Sequence, residues 1–293
     1  DVIYNRHGII TTRAFYKNNQ LHGQKQSYFS IGHLYTTNEY KDGKENGIQV
    51  RYYSNGQKKI EAVAKDDKVD GPYKSYYKNG KPETIATYIN GKLNGTYQTY
   101  YEHGQLSLTA QYKDGLLQGE VTAYHPNGKI KSTKSFVDDA IQGAEMEYNN
   151  QGVLLQKINY EKGKAHGVAE YFDDDGKRYA VFEFEKDILK KARYFDKSGN
   201  EISKSEKQRG QLQLTNHNAA GFKTAVINFN DASERVNGDT YYYTSGKVKE
   251  ANQYKKGKLD GVSIGYHVNG TKSYEIPYKN DEKDGLVTNY YIN

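Results

Sequence analysis

A spacing of 24 residues governs this chain. Taking position 0 as the residue, usually aromatic, that closes one unit and opens the next, it falls at Tyr16, Tyr40, Ala64, Tyr88, Tyr112, Phe136, Tyr160 and Phe184, each 24 residues after the last. The same step returns between Tyr254 and Tyr278. A glycine keeps register at position 7 (Gly23, Gly47, Gly71, Gly95, Gly119), an aromatic at position 12 (Tyr28, Tyr52, Tyr76, Tyr100, Tyr124) and a second glycine at position 16 (Gly32, Gly56, Gly80, Gly104, Gly128). Chance does not hold four positions in step over so many units, and a period in this range is the signature of a repeat architecture. The 70 residues from Phe184 to Tyr254 are close to three further units, with Gly199, Gly221 and Gly246 as second glycines and Phe229 as a boundary. The chain thus reads as a single array over residues 1–293, regular over 1–184 and 254–293 and degenerate over 185–253. Gln208 to Gly221 fits least well and is expected to form a longer hairpin or loop.

Inside each unit the pattern is that of a hairpin. Positions 7 to 13 read as one strand, as in Gly47 to Tyr53, and positions 17 to 24 as a second, as in Gln105 to Tyr112. Between them lies Asn55-Gly56, Asn79-Gly80, Asn127-Gly128 or Asn269-Gly270. Asn-Gly between strands predicts a two-residue turn in which both residues take positive φ. Lys41-Asp42-Gly43 and Asn90-Gly91 supply the turn to the next unit. No segment keeps a 3.6-residue hydrophobic period, and the 4 prolines are too few to interrupt a ladder. Alternation places even positions of both strands on one covered face: Ile48, Val50 and Tyr52 on the first, Leu106, Leu108 and Ala110 on the second. One hairpin cannot bury such a face, whereas stacked neighbours can. The expected fold is all-β, an elongated twisted antiparallel sheet or solenoid of stacked hairpin repeats.

Composition agrees with a thin fold. Only 35% of residues are hydrophobic, and 30 of them are tyrosines, whose rings pack while their hydroxyls stay wet. The net charge of +6 is spread among 36 acidic residues, with no run of five or six like charges, so no nucleic-acid partner is expected. No stretch approaches the roughly 20 apolar residues of a membrane helix. Any membrane association is therefore expected to be peripheral, through a partner or a lipid anchor. With no cysteine, disulfides, thiolate–zinc sites and thiol catalysis are excluded. The chain opens inside a repeat and without Met, so the natural N-terminus is expected to lie upstream.

Tyr40-Lys41-Asp42-Gly43-Lys44-Glu45-Asn46-Gly47 followed by Tyr52-Tyr53-Ser54-Asn55-Gly56, and Tyr254 to Gly261, carry a family likeness. They resemble the bacterial MORN-repeat variants (membrane occupation and recognition nexus), over nearly the whole chain except 185–240. That resemblance implies an extended antiparallel sheet of hairpins. It also implies proteins described as antitoxin-like, or exported envelope proteins of Gram-negative bacteria.

The chemistry-bearing residues select no catalytic centre. The 8 histidines fall mostly in turns or at position 13, with no His-x-x-x-His and no Cys beside them. A metal site built across repeats from His125 and acidic neighbours is an option that nothing demands. Asp173-Asp174-Asp175 lacks the 12-residue loop and final Glu of an EF-hand and reads as a turn. The glycines form no phosphate cradle opening a helix. Asn94-Gly95-Thr96 and Asn269-Gly270-Thr271 match the glycosylation sequon but coincide with repeat turns. No catalytic, cofactor or metal residues are assigned.

One feature is not required by the repeat. Phe29, Tyr53, Tyr73, Tyr77, Tyr97 and Tyr101 stand at positions 9 and 13, where the alternation calls for polar side chains. They are expected to form an aromatic stripe on the outer face of the early repeats, either as stabilising cross-strand pairs or as a contact surface for a partner. Arg51, Lys74 and Lys78 lie nearby. The expected function is a non-catalytic protein-binding scaffold. Its expected place is as an accessory subunit of a bacterial cell-envelope assembly, in the periplasm or at the outer-membrane surface. The alternatives are a cytoplasmic antitoxin-like protein that neutralises a toxin by binding, and a carbohydrate-binding module using Tyr77 and Tyr101.

Overall fold

A computed structural model describes residues 1–292, and among these there are strands and turns but no helix. The chain divides into two compact units. The first is Asp1–Gln142 with Asn150–Gly152, and the second is residues 143–149 with 153 onward. In the first unit the strands Ile10–Lys17, Gln20–Tyr28, Leu34–Lys41, Lys44–Tyr52, Lys58–Lys65, Lys68–Tyr76 and Pro82–Ile89 follow one another as an antiparallel meander, each bonded to the next. Two strands per repeat at about 4.8 Å each advance the sheet by roughly 10 Å every period.

The two turn types are the reverse of the expected assignment. Asn55-Gly56 does not form a two-residue turn. Tyr53 N donates to Gln57 O (2.8 Å), Gly56 N donates to Tyr53 O (3.0 Å), and only Gly56 has positive φ, at 85°. This is a type I turn closed by a left-handed glycine, a three-residue loop with a bulge. Asn55 prefers it because its side chain is then used twice: Oδ1 accepts from Gln57 N (3.1 Å), and Nδ2 donates to Lys78 O in the next repeat (3.0 Å). The two-residue turn with both φ positive occurs at the other end, at Asp42 (φ 50°) and Gly43 (φ 86°).

Neighbouring repeats are tied at both ends. At the two-residue turns, Gly43 N donates to Leu21 O and Gly91 N to Val69 O, both 2.8 Å. Where the second turn residue is aspartate, its carboxylate adds a bond. Asp67 Oδ1 accepts from Glu45 N and Asp139 Oδ1 from Leu117 N, each 2.7 Å. Gly47 shows why position 7 is glycine. Its φ is 113°, a conformation L side chains rarely adopt, and a Cβ there would sit 2.0 Å from the Glu39 carboxylate. That carboxylate accepts the N–H of Ile48 (2.8 Å), which the local bulge leaves without a ladder partner.

Which face is covered differs from the even-position expectation. Gly47 pairs with Ala64, Gln49 with Ala62 and Val50 with Glu61, so an even position on one strand faces the same way as an odd position on the next. The three-residue loop with its bulge sets this offset, and a shift of one residue exchanges faces. Val50 is therefore buried on the face opposite Ala62 and Ala64, and Ile48 is 49% exposed.

In the second unit the hairpins continue through the irregular stretch, with Gly199, Gly221 and Gly246 each left-handed in a hairpin turn. Residues 208–221 form no long loop. They contain a tight turn at Gln208–Gln211, the strand Leu212–His217 and a further turn. What changes there is the ladder. Glu201–Glu206 and Leu212–His217 belong to separate sheets, and serine hydroxyls bridge them: Ser205 Oγ accepts from Thr215 N (3.1 Å) and Ser203 Oγ donates to Thr215 O (3.4 Å). This junction encloses the unit's apolar cluster of Ala180, Ala192, Tyr194, Leu212 and Leu214, with Phe182 packed against it.

Candidate partner-binding surface

The covered face of the first unit is built from a row running straight across the strands. Asn38 pairs with Gln49, Gln49 with Ala62, Ala62 with Tyr73, Tyr73 with Ala86, and Tyr97 with Ala110. Small and large residues alternate, so each tyrosine ring leans over the alanines beside it. Ala62, Ala86 and Ala110 are 5%, 3% and 2% exposed, while Tyr73 and Tyr97 are only half-buried. Position 24 adds a second rank of rings. Tyr88 meets Tyr73 edge-on at 5.6 Å, and Tyr112 meets Tyr97 at 5.8 Å. Such pairs contribute about 0.5–1.5 kcal/mol each beyond area burial. Burial is the main cause raising the hydroxyl pKa of Tyr73, Tyr88 and Tyr112, so these rings stay neutral and act as donors through the physiological range.

The six aromatic residues singled out by sequence do not form one outer stripe. Tyr73 and Tyr97 lie on the same face as the buried alanines, not opposite them. Phe29, Tyr53, Tyr77 and Tyr101 stand beyond the register shift that ends each first strand, in the turns, where alternation no longer holds. All six are half-buried rather than exposed. The turn tyrosines point along the array. Tyr53 OH donates to Tyr76 O (2.8 Å), Tyr77 OH to Tyr100 O (2.6 Å) and Tyr101 OH to Tyr124 O (2.7 Å), each 23 residues on. Phe29, which has no hydroxyl, packs on Tyr35 at 4.9 Å. Where position 13 is His267, its ring nitrogen bonds Tyr290 O at 2.9 Å in the same manner. Where it is Asn149 or Asp173, the short side chain caps its own turn instead, accepting from Val153 N (2.9 Å) or Lys177 N (2.8 Å). Tyr53, Tyr77, Tyr101 and His267 thus staple one repeat to the next.

The grooved face around Tyr73 is the candidate contact surface. A shallow groove of about 210 Å³ runs there between Thr36, Gln49, Arg51, Ile60, Ala62 and Tyr73. Arg51 shares this face, since it pairs with Thr36 and with Ile60, and its guanidinium lies 5.8 Å from the Tyr35 ring. Lys74 points the other way, beside Glu61, and Lys78 is exposed in a turn. Tyr88 and Tyr112 were not among the sequence candidates because position 24 was read as a unit boundary. Their pairing with position 9 becomes visible only once the register is known.

No group of three or more His, Asp or Glu is placed to hold a metal ion among the described residues. His22 sits 3.3 Å from Asp42, and His103 bonds Pro126 O at 3.1 Å while stacking on Tyr101. Asp173 caps its turn through Asp175 N (3.0 Å), as the turn reading of the aspartate run requires. No helix among the described residues is long and apolar enough to cross a membrane.

Comparison with known proteins identifies the repeat. Residues 45–66, 69–90, 93–114 and 117–138 match the MORN repeat variant, four copies in tandem. No curated protein matches the chain. Among solved structures, similar chains include TcdB2-TccC3-TEV (10% identity, 96% of this chain and 22% of that one, TM-score 0.20). A second is the Photorhabdus luminescens Tc holotoxin pore (11%, 94% and 17%, TM-score 0.18). A third is a porin-like protein from Bacteroides uniformis ATCC 8492 (11%, 94% and 92%, TM-score 0.21). The chain spans about a fifth of the toxin chains' length. At these scores the likenesses carry no functional argument.

Proposed function

We propose that this chain, whose residues 45–138 are MORN repeat variants in tandem, is a non-catalytic protein-binding scaffold with the grooved face of its first unit as the contact surface. The observation that carries this is the Ala–Tyr row. It presents half-exposed rings at Tyr73 and Tyr97, on a backbone fixed by ladders and staples, with Arg51 beside them. Tyr and Arg are the residues that anchor protein interfaces, and rigid presentation limits the entropy lost on binding. The recurring turn-to-turn ties give each repeat the same geometry, so a partner can engage several repeats at once.

In its finer form the proposal makes the chain an accessory subunit of a bacterial cell-envelope assembly, at the periplasm or outer-membrane surface. The Asn-, Lys- and Tyr-rich composition supports that reading. Tagged native purification from the source cells, followed by mass spectrometry of co-purifying proteins, tests it. Stoichiometric recovery with outer-membrane or secretion components is the expected result. Recovery with one small soluble toxin replaces the envelope reading by an antitoxin one, and recovery of the chain alone removes the scaffold reading.

A further inference from the structure

In the second unit the repeat breaks its own rule at one place. Position 9, filled by Tyr73 and Tyr97 in earlier repeats, holds Asp239 and Ser263. Position 22, filled by Ala62, Ala86 and Ala110, holds Asn252. Asp239 pairs with Asn252, and Ser263 pairs with Ile276, so the row that is elsewhere alanine and tyrosine has a polar centre. Asp239, Asn252 and Ser263 are 0%, 7% and 5% exposed. Stability alone does not call for this, because buried ionic and polar groups seldom outperform apolar packing of similar volume. Departures from a repeat's local rule are where function is to be sought.

The exchange removes a ring and opens a recess of about 310 Å³ over Asn252 and Ser263, with walls from Tyr241, Tyr254, Tyr274 and Tyr278. The walls are held in place. Arg235 Nη1 donates to Tyr254 OH (2.9 Å) and Tyr241 OH (3.2 Å), and Asp239 lies 3.1 Å from the same nitrogen, fixing the guanidinium. Asn252 Nδ2 donates to Glu250 Oε1 (2.6 Å), and Ser263 Oγ hydrogen-bonds Asn252 Oδ1. The Tyr274 ring lies directly over Gly265, where a Cβ would meet the ring at 2.1 Å. That glycine occupies position 11, held by Arg51, Ser75 and Thr99 in earlier repeats.

We propose that this recess binds a neutral saccharide ring. Its volume lies at the small end of ligand sites, which suits one sugar unit. The tyrosine faces suit the apolar faces of a pyranose, and Glu250, Asn252 and Lys249 offer acceptors and donors to its hydroxyls. The two charged residues that line it, Lys249 and Glu250, are opposite in sign, so the site favours neither an anion nor a cation. The site is separate from the first unit's grooved face, and its failure would leave the scaffold reading standing.

The test is a titration of the full chain with methyl glycosides of glucose, galactose, mannose and N-acetylglucosamine, read by saturation-transfer NMR and calorimetry. Saturable binding of at least one glycoside with Kd near or below about 1 mM is expected. Tyr274→Ala and Gly265→Ala should weaken it at least about tenfold, and Tyr97→Ala in the first unit should not. Glu250→Gln changes no volume and should also weaken binding, so the test survives if the other variants misfold. No saturable glycoside binding, or binding indifferent to Glu250→Gln and Tyr274→Ala, overturns the proposal. Binding of tetramethylammonium with no glycoside binding overturns it too, by assigning the ring walls to a cation.

Discussion

The hydroxyl of Tyr77 donates a 2.6 Å hydrogen bond to the backbone carbonyl of Tyr100, 23 residues later in the next repeat. The bond joins the turn of one repeat to the end of the first strand of the next, so it acts between repeats rather than within one. Tyr77→Phe is expected to lower stability by about 0.5–1.5 kcal/mol, the net worth of one such bond. Urea unfolding checks it. The same loss is expected for Tyr53→Phe and Tyr101→Phe, whereas Tyr97→Phe, with no such staple, should fall below it.

Gly47→Ala is expected to cost more than a staple. The φ of 113° and the approach to the Glu39 side chain both oppose a Cβ. A left-handed alanine alone costs about 1–2 kcal/mol, and displacement of Glu39 removes the acceptor for Ile48 N. Thermal and urea unfolding of the variant, beside Gly56→Ala where nothing crowds the added carbon, separates the two contributions.

Deleting one whole period, residues 89–112, should leave a folded protein. It joins Tyr88 to Lys113 and brings the Tyr77 hydroxyl opposite the Tyr124 carbonyl, which the deleted Tyr101 bonds in the full chain. Repeat arrays tolerate this because each unit contacts only its neighbours. A deletion of half a period should not fold, since it would place two unlike turns side by side. Circular dichroism and urea unfolding of both deletions decide the point.

Alkaline pH should destabilise the second unit as its buried tyrosines are forced to ionise. Tyr160 is pushed up to about 12 by burial and then by its hydrogen bond with Glu145, and burial raises Tyr194 as well. A phenol whose folded pKa is raised stabilises the fold fully below its unfolded pKa, near 10. That contribution is lost as pH rises from about 10 through about 12. Tyr194→Phe should make stability less steep with pH in that window, measured by urea midpoints alongside tyrosinate absorbance.

The hairpin order, the glycine positions and the repeat match were legible because they are local: the position-16 glycines answer a φ requirement within their own turns. Which face a residue occupies was not, because it depends on the pairing offset between strands. Gln49 opposite Ala62 puts an odd position beside an even one, and the bulge at Tyr52 takes Tyr53 out of alternation with Gln49. Tyr73 and Tyr97 were thus found for their residue type and placed on the wrong face. Tyr53, Tyr77 and Tyr101, for which sequence left stabilising pairs and partner contacts both open, bond the backbone of the next repeat through their hydroxyls. The polar centre at Asp239, Asn252 and Ser263 was visible as three departures from the repeat. Asp, Asn and Ser are ordinary residues in a polar chain until their burial is known, whereas aromatic residues at polar positions stand out in the sequence itself.

The proposed partner surface is one face of the first unit, and two adjacent residues separate that face from its opposite. A photo-reactive phenylalanine placed at Tyr73 projects onto the grooved face, and the same residue placed at Lys74 projects beside Glu61 on the other. Cross-linking in the source cells is predicted to capture one protein partner in high yield from position 73 and none from position 74. Equal capture from both positions, or capture from position 74 alone, would contradict the account.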